Sequence, residues 1–182
     1  MDDSDPESIE AYPWFKDVDD PQLAQGDFLM GFPVVVLRPP FESLLDENRL
    51  NSVVQIYDVI VLTQSCDLFV GKTENVLVCP HFFPSDIAGI KETESKGGRT
   101  RIQKGALPSL HVLPPCSMDG ADPSCRIVNF RQVVSVPLTL VQAHVERNPR
   151  RLRLLPPYRE QMAQAFGRFV MRVGLPVDFE IG

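Results

Sequence analysis

The apolar residues of this chain come in short, β-branched runs, and prolines cut between them. Val34-Val35-Val36-Leu37 is bracketed by Pro33 and Pro39-Pro40, and Val76-Leu77-Val78-Cys79 meets Pro80. Runs of this length suit strands, and proline, which has no N–H to donate, is expected to end a ladder. Val59-Ile60-Val61-Leu62 is apolar at every position and predicts a strand buried on both faces. Further strands are expected at Phe28-Leu29-Met30, Leu110–Leu113, Arg126–Phe130 and Gln132–Val136. Short strands between turn-rich loops predict a mainly β fold, a small barrel rather than βαβ units.

One segment breaks that rule. After Pro156-Pro157, the residues Tyr158, Met162, Ala165, Phe166, Phe169, Val170 and Val173 recur at helical spacing, and Gly174 with Pro176 ends the pattern. This predicts a single C-terminal amphipathic helix lying across the barrel. Residues 41–50 suit a helical turn or two, and the polar stretch 84–105 predicts a functional or mobile loop. The expected organisation is an acidic tail (1–25) with little regular structure, a barrel core (26–145), and a basic segment with the helix (146–182). Within the tail, Tyr12, Trp14 and Phe15 either dock on the chain's own core or form a motif for a protein partner.

The charge is divided along the chain. Residues 1–58 hold 13 acids and 3 bases, whereas residues 126–182 hold 4 acids and 9 bases. A net charge of −6 argues against a non-specific nucleic-acid binder, which carries a basic field. Arg147, Arg150, Arg151 and Arg153, extended by Arg168 and Arg172, still form a candidate phosphate-contacting face. The competing reading pairs that cluster with the acidic N-terminal segment. No apolar run reaches the roughly 18 residues of a membrane span, and the acidic first residues are unlike a signal peptide, so a cytoplasmic chain is expected. Cys66, Cys79, Cys116 and Cys125 are scattered and read as free thiols.

Gly26-Asp27-Phe28 opening a strand, Val59-Ile60-Val61-Leu62-Thr63, Val78-Cys79-Pro80, and Ile127-Val128-Asn129-Phe130-Arg131-Gln132-Val133-Val134 together resemble the PemK/MazF family. The resemblance covers roughly 60% of the chain through short motifs. It implies an SH3-like barrel, a toxin–antitoxin or defence setting, RNA as a partner, and a dimer. Family members cleave RNA with an Arg before the first buried strand and a Ser/Thr after the second. Here Tyr57-Asp58 stands at the first position and His81-Phe82-Phe83 follows the second strand, so the family's ribonuclease chemistry is not expected to carry over.

Thr63-Gln64-Ser65-Cys66-Asp67 gathers polar side chains directly after a buried strand. Its enzymatic reading makes Cys66 a nucleophile, with His81 or His111 as base and Thr63, Gln64 and Asp67 in support. The plainer reading has Ser65 and Asp67 capping a turn while Cys66 plugs the barrel end. A metal reading would draw on Cys66, Asp67, Cys79, His81, His111 and Cys116, but their spacing matches no zinc pattern, so neither metal nor cofactor is expected. His144, in a basic stretch, is expected at the surface. A non-catalytic protein-interaction module remains the third reading.

Overall fold

The computed structural model describes residues 13–39, 51–69, 72–86, 95–116 and 124–171. Tyr12, the 41–50 segment, residues 87–94 of the polar loop, Arg172, Val173, Gly174 and Pro176 lie outside them. The fold is mainly β, built from antiparallel strands. Eight strands are described: β1 (Phe15–Asp19), β2 (Phe28–Leu37), β3 (Ser52–Val61), β4 (Asn75–Phe82), β5 (Leu110–Leu113), β6 (Arg126–Asn129), β7 (Val134–Pro137) and β8 (Arg150–Leu154). Six of them form one sheet in the order β2-β3-β4-β6-β5, with β7 also on β4, and β1 pairs with β8 separately. Neither sheet closes on itself. No described helix is long and apolar enough to cross a membrane.

The run Val59–Leu62 is buried throughout, as its composition predicts. Val59 and Val61 enter a core with Phe32, Val76, Val78, Val141 and Val145. Ile60 and Leu62 enter a second core with Phe28, Leu113, Phe130, Leu154 and Met162. Alternation on a pleated strand sends successive side chains to opposite faces, so two cores on two faces require an unbroken apolar run.

Pro80 does not end its strand. β4 continues through it to Phe82, with Pro80 opposite Val59. On its other edge, β4 pairs His81 with Val128 and Val78 with Val134, so Cys79 and Pro80 face a gap in the register. A 3-10 turn at Phe130–Gln132 interrupts the partner strand there, and no ladder acceptor waits for the N–H that proline lacks.

Four helices are described rather than one: α1 (Ser65–Phe69), α2 (Lys96–Gln103), α3 (Leu138–Arg147) and α4 (Tyr158–Val170). α2 falls within the expected loop, capped by the Ser95 hydroxyl accepting from Gly98 N. It packs Ile102 on Leu110 and Ile127. α3 forms at the end of the expected barrel core because Val141 and Val145, four apart, bury on one core with Leu138 against them. His144 on that helix is half-buried against Phe32, at 5.1 Å between ring centroids, not at the surface. α4 begins after Pro157 as expected and buries Met162 completely, while Val170 stays largely exposed.

The N-terminal segment is ordered from Phe15, against the compositional expectation, because β8 supplies both a ladder and countercharge. Asp19 pairs with Arg150 and Phe15 with Leu154 in register. Trp14 stacks on Tyr158 at 3.4 Å, and Phe15 is buried edge-on to Phe28. These two aromatics therefore dock on the chain's own core.

The Gly26-Asp27 step ties this layer to the large sheet. Gly26 has φ +85°, and a Cβ there would stand 3.0 Å from Leu154 Cβ, so glycine answers both the backbone and the close approach. Asp27 is fully buried. Its Oδ2 accepts from Arg151 Nε at 2.8 Å, Arg153 Nη2 at 3.0 Å and Ala24 N at 3.0 Å, and its Oδ1 accepts from Arg153 Nε. Arg151 also donates to the carbonyls of Asp20, Gln22 and Pro149.

Candidate functional site

The segment Thr63–Asp67 divides on folding. The Thr63 hydroxyl accepts from Leu77 N at 2.7 Å and the Ser65 hydroxyl from Gln25 N at 3.0 Å, so both stitch backbone together. Cys66 is exposed rather than plugging the core, and Leu68 is the buried residue of α1. The reason is helical phase: Leu68 turns toward the first core, which leaves Cys66 facing out. The Cys66 thiol lies 3.6 Å from Gln64 Oε1 and 3.7 Å from Asp67 Oδ1. A cleft of about 420 Å³ is lined by Gln64, Ser65 and Cys66 together with Gln25, Arg159 and Glu160, and no histidine reaches it. The expected partnership of Cys66 with His81 or His111 therefore does not form in this cleft.

The cysteines and histidines do not converge elsewhere. Among the described residues no three His, Cys, Asp or Glu side chains are placed to hold a metal ion. Cys79 is buried, donates to Asn129 O at 3.2 Å, and has its thiol pushed up to about 12 by burial. No disulfide joins the four cysteines.

The arginines of the candidate basic face are also separated. Arg151 and Arg153 are held by Asp27, and Arg150, three-quarters exposed, meets Asp17 at 2.8 Å. The acidic N-terminal segment thus supplies countercharge to this cluster. Arg147 and Arg168 are exposed, with no carboxylate at ion-pair distance among the described residues.

The groups that do converge are His81 and Arg126. Strand β4 carries His81, β6 carries Arg126 at its start, and both side chains are buried. Arg126 Nη1 donates to His81 Nδ1 at 3.4 Å, and the guanidinium lies 4.5 Å from the centre of the Phe83 ring. A guanidinium can only donate, so Nδ1 is the acceptor and the ring proton sits on Nε2. That Nε2 is buried with no partner, an orphaned donor. Burial, reinforced by the Arg126 charge, pushes the His81 pKa down to about 3, so the ring is neutral at pH 7.

No carboxylate stands within ion-pairing distance of Arg126 among the described residues, which is unusual for a buried cation. His81 and Arg126 line a cleft of about 220 Å³ with Tyr57, Asp58, Phe82 and Phe83. Asp58 Oδ1 accepts from Gly31 N at 2.8 Å, and Asp86 closes the rim. The cleft thus offers donors from Arg126, carboxylate acceptors, and aromatic walls, while the His81 Nε2 proton is itself buried.

Sequence reasoning flagged His81 as a base for a distant thiol and Asp58 only as a departure from a motif. Arg126 went unnoticed as a site residue. A lone arginine opening the apolar run Ile127-Val128 was the available signal, because burying it demands a reason.

The tautomer and burial of His81 make a pH prediction. An unfolded histidine takes a proton near pH 6.5, whereas His81 in the fold resists to about 3. Its contribution is therefore fully present above pH 6.5 and is lost as pH falls toward 3. Between pH 7 and pH 5 this amounts to about 2 kcal/mol. Urea unfolding at the two pH values should show a loss smaller by that amount in His81→Gln than in the wild type, the remaining loss coming from His111, whose pKa burial also lowers. Parallel slopes would mean that His81 is not held neutral.

No protein-family model matches the chain, and no curated protein matches it either.

Proposed function

We propose that this protein is a divergent PemK/MazF-like chain that binds single-stranded RNA, taking one unpaired base into the cleft of His81 and Arg126. The observation that carries the reading is Arg126, a buried guanidinium lining a cleft and, among the described residues, with no carboxylate within ion-pairing distance. Unpaired bases are recognised by stacking on aromatic rings and by hydrogen bonds to their edges. Guanine presents two acceptors, which suit the forked donors of Arg126, while its own donors suit a carboxylate such as Asp58. A net charge of −6 weakens phosphate-driven binding and favours recognition through the base. In this reading the open sheet is a relic of an SH3-like barrel, the setting is cytoplasmic and toxin- or defence-associated, and the family's ribonuclease residues are absent. The exposed Cys66 has no imidazole in its cleft, which gives the thiol-enzyme reading less support.

The test is fluorescence anisotropy with short labelled RNAs differing in one unpaired base, at low salt. A guanine-containing strand should bind best, and Arg126→Met should weaken it by about 5- to 150-fold, the worth of one good bidentate contact. The same variant should stay folded, because the cost of orphaning His81 Nδ1, about 1–3 kcal/mol, is offset by removing a buried charge with no carboxylate at ion-pairing distance among the described residues. Absence of binding at low salt, or binding indifferent to Arg126, sinks the reading.

A further inference from the structure

A larger groove lies between α2, β5 and α4, with a volume of about 610 Å³, and Trp14 forms part of its wall. That size suits a small organic ligand rather than a single ion. Its chemistry differs from that of the cleft at Arg126. Lys104 stands at the end of α2 and Arg168 on the exposed side of α4, and among the described residues no aspartate or glutamate lines the groove. Neither cation has a carboxylate within ion-pairing distance among the described residues.

Between these cations the groove is lined by Gln161 and Gln164, His111, and the indole of Trp14. The carboxamides of Gln161 and Gln164, three residues apart on α4, offer both donors and acceptors. Trp14 is held in place by its stack on Tyr158, at an interplanar angle of 10°, and is therefore a preformed aromatic surface. His111 is kept neutral at pH 7, its pKa pushed down to about 4 by burial and then by Arg168. A neutral imidazole adds a further hydrogen-bonding edge without adding charge.

We propose that this groove is a second site, independent of the RNA reading, that binds a free nucleoside monophosphate. The phosphate is held by Arg168 and Lys104, the base lies against Trp14, and Gln161 and Gln164 meet its polar edge. Two cations with no opposing acid among the described residues select a dianion, and an aromatic wall with carboxamides selects a flat, hydrogen-bonding ring over an aliphatic one.

Trp14 is the only tryptophan of the chain, so its fluorescence reports on the groove without a label. The full-length protein is titrated with AMP, GMP, CMP and UMP, with the corresponding nucleosides and inorganic phosphate as controls. At least one monophosphate should give a saturable change that its nucleoside and phosphate alone do not. Arg168→Gln and Lys104→Gln, both on exposed positions, should each weaken that response by about tenfold, the loss of one charge-assisted hydrogen bond. Arg126→Met should leave it intact, which separates this site from the base-reading cleft. No fluorescence change with any of the four monophosphates overturns the proposal. So does a change equal in the wild type and both groove variants, or one that nucleosides reproduce.

Discussion

Asp27→Ala is expected to destabilise the protein by about 3–5 kcal/mol, the typical result of leaving buried charge without its partner. The carboxylate is inaccessible to solvent and two arginines depend on it, Arg151 at 3% side-chain exposure and Arg153 at 14%. Removing Asp27 leaves both guanidiniums with backbone carbonyls and the more distant, partly exposed Asp20, at 3.5 Å from Arg151 and 4.0 Å from Arg153. The loss is a large part of the about 5–15 kcal/mol that holds a domain together. Equilibrium urea unfolding followed by circular dichroism measures it. Asp17→Ala is the control, since it breaks only the solvent-washed pair with Arg150 and should leave the midpoint unchanged. Equal midpoints for Asp27→Ala and Asp17→Ala would mean that the buried cluster is not what joins β1 and β8 to the sheet.

Phe130→Ala should cost a similar amount, about 3–5 kcal/mol, by a different route. Phe130 is 2% exposed in the 3-10 turn that interrupts the strand opposite Pro80. Its ring meets Phe166 at 5.4 Å and Phe169 at 5.9 Å, so it is where the sheet grips α4. The cavity left by alanine would lie between two rigid elements that cannot both close over it. Amide hydrogen exchange should show α4 losing protection before α3, which packs on the other core. Phe69, on the short helix and 69% exposed, provides the contrast, and its replacement by alanine should do almost nothing. Uniform loss of protection in both helices would argue that the two cores unfold as one.

The elements that the sequence makes legible are those whose reason for folding is local. Val59–Leu62 announces burial on both faces by itself, and the Tyr158, Met162, Phe166, Phe169 stripe announces a helix by its spacing. β8 is hidden for the opposite reason. Arg150-Arg151-Leu152-Arg153-Leu154 reads as solvated charge until Asp27 and Asp17 arrive from the other end of the chain. α3 was present in the pattern as Leu138, Val141 and Val145, but ten residues after a proline offer only that faint stripe. The open sheet was not legible at all, since strand composition does not say whether two edges meet.

The candidate site divides along the same line. His81 and Asp58 stand out because each is polar beside a buried strand. Arg126 is joined to them only by the pairing of β4 with β6, and register is not written in either segment alone. Cys66 attracted a catalytic reading because nucleophile and base can be far apart in sequence. The fold sends His81 to the cleft it shares with Arg126 and leaves the thiol with amide and carboxylate oxygens.

The pairing of β1 with β8 also dictates an order of events while the chain is being made. Asp17 is synthesised 133 residues before Arg150. At the usual rate of peptide elongation that interval is roughly ten seconds, during which the acidic leading segment has no strand to join. The six-stranded sheet can assemble as β2 through β7 emerge, but Asp27 must wait inside it, without countercharge, until Arg151 and Arg153 leave the ribosome. Long-range closure of this kind is slow to reach and comes late. The nascent protein therefore passes through a stage in which the six-stranded sheet is formed and the buried carboxylate of Asp27 is still alone.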